Sequence, residues 1–314
     1  MTREPPLYAI VGPTAAGKTR AAFELARMIK GEIISVDSRQ VYRYLDVGTD
    51  KISREKRSTV PHHLIDVADP DEIFTAADFV QRALSAARRI ESRGRVPILA
   101  GGTPMYFKAL EGGLLSESLP RDERLRRELE RTAEIEGVRS LHGELSAADP
   151  ESAARIHPND RVRIVRALEI FKLSGRSATE LYAAQKKIGG ERGIAYFGVM
   201  SPRESLFERI ERRAGEQFRS GYPEEVRWLL DNGYSRDLPA LRGFGYRELV
   251  DYADGKITLD EALAGDVRST KAFSRRQMTW FRQFSPILWY DFSETTLEKV
   301  AEDMAEKMGR PRVR

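Results

Sequence analysis

Residues 8–19, Tyr-Ala-Ile-Val-Gly-Pro-Thr-Ala-Ala-Gly-Lys-Thr, contain the spacing G-x-x-x-x-G-K-[ST], and no other stretch of the chain restricts its fold so narrowly. In this pattern backbone amides surround an oxyanion, a lysine supplies a point charge and a hydroxyl helps to hold magnesium. The surroundings fit: Leu7–Val11 is a short apolar run, and Ala21, Ala22, Leu25, Ala26 and Ile29 follow at helical spacing. Strand, loop and helix therefore place Gly12, Pro13, Thr14, Ala15, Ala16, Gly17, Lys18 and Thr19 around a phosphate, with the Thr19 hydroxyl as a Mg2+ ligand. Which phosphate is held, and whether a phosphoryl group is what moves, the loop alone leaves open.

Two more apolar runs share the pattern. Residues 33–36 end at Asp37-Ser38, and residues 96–100 end at Gly101-Gly102-Thr103. Strands alternating with helical stretches predict a parallel α/β sheet of the P-loop NTPase-like class, with the ligand at the carboxyl ends of the strands. From about Ser116 the chain becomes charged, helical in period and free of a convincing strand, until core character returns at residues 194–199. The expected organisation is a first part of the core at 1–115, an inserted helical domain at 116–192, and a continuation of the core at 193–314 ending in basic helices. After the returning strand, Ser201-Pro202-Arg203-Glu204 reads as a capping box with serine at the N-cap.

Composition excludes several classes. A chain of 314 residues, 41% hydrophobic and without a membrane-length apolar run, is expected to be globular with about two domains. With no cysteine there are no disulfides, thiolate nucleophiles or iron–sulfur clusters, and four histidines add little metal capacity. His62-His63 lacks a third ligand nearby and is read as structural. The first residues carry acid and tandem proline where a secretory signal needs a basic end, so a cytoplasmic monomer is expected. Net charge is only +4, so the placement of arginines matters more than their total.

Asp37, at a strand tip, has two readings: a cap or holder of a metal-bound water, or a general base beside a leaving phosphate. Arg209 and Arg213 are spaced i and i+4 and share a helix face. They are either solvated partners of Glu208 and Glu211 or forked phosphate ligands. Two stretches suit a polyanion. In residues 157–171 the apolar stripe is Ile164, Leu168 and Phe171, with Arg163 and Arg166 turned away from it. In residues 270–284 the stripe is Phe273, Trp280 and Phe284, with Lys271, Arg275 and Arg282 opposite. Arginine contacts a nucleic-acid backbone and aromatic rings stack on unpaired bases, which makes RNA a serious candidate partner. Arg242-Gly243-Phe244-Gly245-Tyr246-Arg247 adds an aromatic between glycines and arginines.

The combination of GPTAAGKT, ISVDSRQVYR, PHHLIDVADP, TAADF, GGTPMYFKAL, HPNDRVRIVRALEIF, FERIERR, GFGYRE and RRQMTWFR, in this order across most of the chain, resembles the bacterial tRNA dimethylallyltransferases, also called tRNA isopentenyltransferases. The resemblance implies a P-loop core with an inserted helical domain. It also implies Mg2+-dependent transfer of a dimethylallyl group from its diphosphate to N6 of the adenine next to the tRNA anticodon. On that basis residues 12–19 and Arg209 hold the diphosphate, Asp37 is the base, and Thr103 and Arg213 approach the reacting centre. Asp37, Ser38, Arg39, Gln40, Thr103, Arg126, Arg163, Arg166, Arg242, Gly243, Phe244, Gly245, Tyr246, Arg247, Arg275, Arg276, Gln277, Trp280 and Arg282 match stretches that contact tRNA. Asp50 and Ile52 stand where the family pattern has alanine and proline, and the eukaryotic zinc-finger extension is absent. The rivals are a nucleoside or small-molecule kinase, a prenyltransferase acting on free adenylate, and a non-catalytic RNA-binding P-loop protein.

Overall fold

A computed structural model describes residues 5–112, 114–115, 120–184, 187–188 and 192–309. The chain divides into two compact units, Met1–Gly112 with Gly190–Arg314, and Gly113–Gly189. In the first, the elements before the insertion are β1 (Leu7–Val11), α1 (Lys18–Ile29), β2 (Gly31–Val36), α2 (Arg54–Thr59), β3 (His62–His63), α3 (Ala76–Ser92), β4 (Val96–Gly101) and α4 (Pro104–Gly112). The second holds β5 (Leu114–Leu115), α5 (Glu123–Ile135), α6 (Val138–Ala148), α7 (Pro150–Arg155), α8 (Arg161–Ser174), α9 (Ala178–Ala184) and β6 (Lys187–Ile188). After it the first unit resumes with β7 (Ile194–Met200), α10 (Arg203–Arg219), α11 (Tyr222–Asp231), α12 (Tyr246–Ala253), α13 (Leu259–Phe281), β8 (Ile287–Asp291) and α14 (Leu297–Lys307).

In the first unit six parallel strands lie in the order β3-β2-β4-β1-β7-β8. Helices cover both faces, so the central strands are almost wholly apolar: every residue of β2 is buried, as are four of the five in β1. Helix α1 lays Ala21, Ala22, Leu25, Ala26 and Ile29 on the sheet and meets Val300, Ala301 and Met304 of α14. A second apolar cluster, with Phe218, Tyr222, Val226, Leu241, Tyr246 and Leu249, joins α10, α11 and α12 to residues 41–45. The one acid in β2, Glu32, is buried and accepts hydrogen bonds from His63 Nε2 at 2.6 Å and Arg93 at 2.7 Å. His63 is thus occupied structurally, as expected from the lack of a third ligand.

Strand β8 is not signalled in the sequence, because five residues beginning Ile-Leu-Trp are too few to show a period. Glycine at 198 makes room for it: a Cβ there would lie 2.3 Å from the Trp289 ring. The capping box expected at Ser201 does not form. The N-cap is Pro202, without a side-chain cap, and the Ser201 Oγ instead accepts a hydrogen bond from Arg209.

The second unit packs Leu129, Leu141, Leu145, Ile164 and Leu168 into its own core. Three of its helices, α5, α7 and α8, start on carboxylates: Asp122, Asp149 and Asp160 each accept the amide of the residue three positions on. Asp149 also accepts from Thr179 Oγ1 at 2.8 Å, tying α7 to α9. A two-residue antiparallel pair joins β5, at the end of the expected first part of the core, to β6, inside the stretch read as helical.

Candidate active site

The carboxyl ends of β1, β2 and β4 are neighbours in the sheet and carry the phosphate loop, Asp37 and Thr103 respectively. The loop needs its first glycine, since Gly12 has φ 147° and a Cβ there would lie 2.2 Å from the Val199 carbonyl oxygen. Ala15, at φ 63°, holds a left-handed conformation uncommon outside glycine, and such strain concentrates at ligand loops. Lys18 folds back on the loop, donating to the Pro13 carbonyl at 2.7 Å. Burial lowers its pKa to about 8, with Asp37 opposing the shift and Arg213 adding to it. In the first turn of α1 the Thr19 side chain is exposed, and its hydroxyl has no hydrogen-bond partner among the described residues.

Asp37 divides its carboxylate between two surroundings. Oδ1 accepts the backbone amides of Arg39 at 2.9 Å and Gln40 at 3.2 Å, which makes the carboxylate the cap of a turn. Oδ2 accepts no hydrogen bond among the described residues. Thr103 brackets the same tip, donating its amide to Val36 and accepting the Ser38 amide on Oγ1 at 3.2 Å. The residues on either side of Asp37 are thereby fixed to the end of β4.

The third wall comes from α10. Arg213 donates to Thr14 Oγ1 at 3.0 Å and Arg209 to the Ala15 carbonyl at 3.4 Å, so both face the phosphate loop and neither pairs with Glu208 or Glu211. The Nε of Arg213 is buried without a partner. Its Nη1 lies 3.4 Å from Asp50, an exposed acid in a left-handed turn at φ 53°. The turn is anchored from below by Glu225, which accepts the amides of Asp46, Val47 and Gly48 and the hydroxyl of Tyr246. Asp50 stands out in the sequence only as a departure from the family pattern and Glu225 not at all, since isolated acids in charged helices and loops carry no signal of such a role.

The residues matched to tRNA contacts separate into outward and inward sets. Ser38, Arg242, Arg247, Arg275, Arg276, Trp280 and Arg282 are exposed. Arg39 is not a free cation: it donates to the Phe244 carbonyl at 2.6 Å and lies 4.3 Å over the Phe244 ring. Gly243 is the residue that lets it approach, because a Cβ there would meet the guanidinium at 2.0 Å. Gln40 donates to the Thr49 carbonyl, while Gly245 and Tyr246 are buried. Of the expected stripe of Phe273, Trp280 and Phe284, Phe284 is buried and Phe273 partly buried, but Trp280 is not. The face that α13 buries carries Asp266, Thr270, Ser274, Gln277 and Phe281, while Trp280 lies outside. Lys271 and Arg275 stand over the Phe207 ring, and Lys271 pairs with Glu211.

Within the second unit, Arg163 is exposed beside Asp160 and Arg126 pairs with Glu130. Arg166 differs from its expected outward position: it donates to buried Glu169 and to the Pro120 carbonyl, each at 2.7 Å.

A loop for an oxyanion, two arginines beside it, and a carboxylate with one available oxygen at the next strand tip can bind a diphosphate and accept a proton close by. Residues 40–284 match the family model described as IPP transferase. The chain belongs to that family. A tRNA dimethylallyltransferase of Geobacter metallireducens is 46% identical to this IPP transferase family member over 286 residues, 91% of this chain and 92% of the relative. The full-length tRNA isopentenylpyrophosphate transferase of Bacillus halodurans has a TM-score of 0.70 and 39% identity, covering 98% of this chain and 97% of that one. A eukaryotic dimethylallyltransferase acting on tRNA, at 24% identity, shares the fold with a TM-score of 0.78 over 99% of this chain and 81% of its own. No helix among the described residues is long and apolar enough to cross a membrane.

Proposed function

We infer that this chain transfers a dimethylallyl group from dimethylallyl diphosphate to the N6 amine of the adenine 3′ to the anticodon in tRNA, releasing diphosphate. Membership of the IPP transferase family favours this reading over the nucleoside kinase. One structural observation carries the chemistry: the unengaged Oδ2 of Asp37, held beside the phosphate loop and Thr103. An exocyclic adenine amine is a poor nucleophile. As its nitrogen bonds to the allylic carbon, Asp37 accepts the N6 proton, and the C–O bond electrons depart with the diphosphate.

Charge grows on that leaving group as the bond breaks. Loop amides, Lys18, Arg209 and Arg213 stabilise it more in the transition state than in the ground state, which is what accelerates the step. The lowered pKa of Lys18 is that of a cation kept from water and close to Arg213, and an arriving diphosphate would raise it. The exposed Thr19 hydroxyl, in the first turn of α1 after the loop, is the protein group that would hold Mg2+. Among the described residues no cluster of three acidic, histidine or cysteine side chains offers an all-protein cage. The chemistry such an ion would supply is partial neutralisation of the leaving group's charge.

The adenine must leave its stack to reach Asp37, at a cost of a few kcal/mol. We assign the offsetting contacts to the exposed cations Arg275, Arg276 and Arg282 with Trp280 on and after α13, to Arg242 and Arg247, and to Arg126 and Arg163 of the second unit. In this reading the second unit grips tRNA, and the enzyme works as a cytoplasmic monomer. Arg39, Gln40, Gly245 and Tyr246 shape the surface from beneath. The test is diphosphate release in the presence of Mg2+: it should require dimethylallyl diphosphate and tRNA together and be indifferent to ATP. Release of phosphate from ATP to a small acceptor would return the kinase.

A further inference from the structure

Gln277 lies near the C-terminal end of α13, 263 residues along the chain from Thr14 of the phosphate loop, yet its amide joins two walls of the site. Its Oε1 accepts the Thr14 backbone amide at 2.8 Å, and its Nε2 donates to the Gly102 carbonyl at 2.6 Å. The side chain is only 3% exposed. A Cβ on Gly102 would lie 2.4 Å from that Nε2 and 3.5 Å from Lys18 Nζ, so Gly102 leaves the Gln277 amide the room it needs to reach this end of the strand. One neighbour, Thr14, accepts a hydrogen bond from Arg213 on its hydroxyl, and the other, Gly102, precedes Thr103.

We propose that Gln277 is a positioning residue of the transfer reaction, fixing the phosphate loop to the end of β4. It would thus set the distance between the leaving diphosphate and the carboxylate that takes the proton. Its place within RRQMTWFR suggests contact with RNA, but an enclosed amide with both ends engaged inside the protein has nothing left to offer RNA. Only a side chain that accepts at one end and donates at the other satisfies both partners, and a buried amide or carbonyl left alone is costly. A small shift of a reacting group is enough to slow chemistry while leaving binding intact.

The proposal rests on the prenyl-transfer reading, and two variants test it. Gln277→Met keeps the volume and removes both bonds. Gln277→Glu can donate to Gly102 only when protonated, and the ionisable groups of the site, Lys18, Arg213 and Asp37, are the same in every variant.

The expected result for Gln277→Met is a kcat reduced roughly ten- to a hundredfold with the KM for tRNA within about twofold of wild type. For Gln277→Glu, kcat relative to wild type should recover about fivefold or more between about pH 8.5 and about pH 6, while the ratio for Gln277→Met stays flat. A raised KM for tRNA with unchanged kcat would make Gln277 an RNA contact and overturn the proposal. So would a Gln277→Glu ratio that ignores pH. Should Gln277→Met fail to fold, the glutamate variant, isosteric when protonated, decides alone. A wild-type chain that transfers nothing overturns the functional reading and this proposal with it, before either variant is assayed.

Discussion

At Asp37 the two oxygens of one carboxylate meet different demands, Oδ1 holding a turn through the Arg39 and Gln40 amides while Oδ2 stays available for a proton. Asp37→Asn retains a carbonyl for the turn and loses the base. Its kcat should fall by about 10²–10⁴ while tRNA affinity changes only a few-fold, measured by transfer assay and by filter binding. Lys18 gives a pH dependence of definite sign. Its pKa of about 8 in the free protein means that the cation is lost as pH rises, so the dissociation constant for dimethylallyl diphosphate should increase above about pH 8. A titration by calorimetry across that range checks it. Asp50 places a negative charge 3.4 Å from Arg213, where the family pattern has alanine. Removing it should tighten inorganic pyrophosphate binding about three- to tenfold, since like charges near the cradle repel at solvent-exposed strength. Of these residues, those in the phosphate loop and at the strand tips are legible in the sequence because their chemistry is local. The loop's geometry is written in eight consecutive residues. Asp50, Glu225 and Gln277 act on partners more than 150 residues away, and no spacing reveals that.

Element by element, α13 shows why pattern reading misplaces side chains beside a polar site. A helix is ordinarily read by placing its large apolar residues inside. Here the inner face carries Asp266, Thr270, Ser274 and Gln277 between Ala262 and Phe281, Gln277 bonding to the Thr14 amide and the Gly102 carbonyl, and Trp280 is left outside. The same inversion occurs in α8, where Arg166 turns in to neutralise buried Glu169. Asp266 has a measurable consequence for stability. Burial raises its pKa from 3.8 to about 6, with the Thr270 hydroxyl bond opposing the shift. In the fold it stays protonated where the unfolded chain has already ionised, so stability falls as pH rises from about 4 to about 6 and remains lower above that. The full effect is about 3 kcal/mol. Asp266→Asn should therefore melt at a higher temperature than wild type above pH 6, and the gain should shrink toward zero near pH 4; a gain independent of pH would contradict the assignment. By contrast, strands β1, β2, β4 and β7 are recoverable from their apolar runs, since burial on both faces leaves an unbroken signal.

Across the molecule, a modest net charge of +4 conceals an uneven surface, and a polyanion responds to the exposed cations alone. Arg275→Ala combined with Arg276→Ala should weaken tRNA binding and flatten its dependence on salt by roughly one to two units of log–log slope, with diphosphate affinity unchanged. Motif order across the chain is what singles out a prenyl acceptor in tRNA, because the phosphate loop by itself also suits a kinase. The most direct measurement is to incubate the purified protein with Mg2+, dimethylallyl diphosphate and an unmodified tRNA carrying adenine beside its anticodon, then digest the RNA and weigh its nucleosides. The account predicts an adenosine heavier by one dimethylallyl group, formed by wild type and absent with Asp37→Asn. Adenosine of unchanged mass, under conditions where both substrates bind, would contradict it.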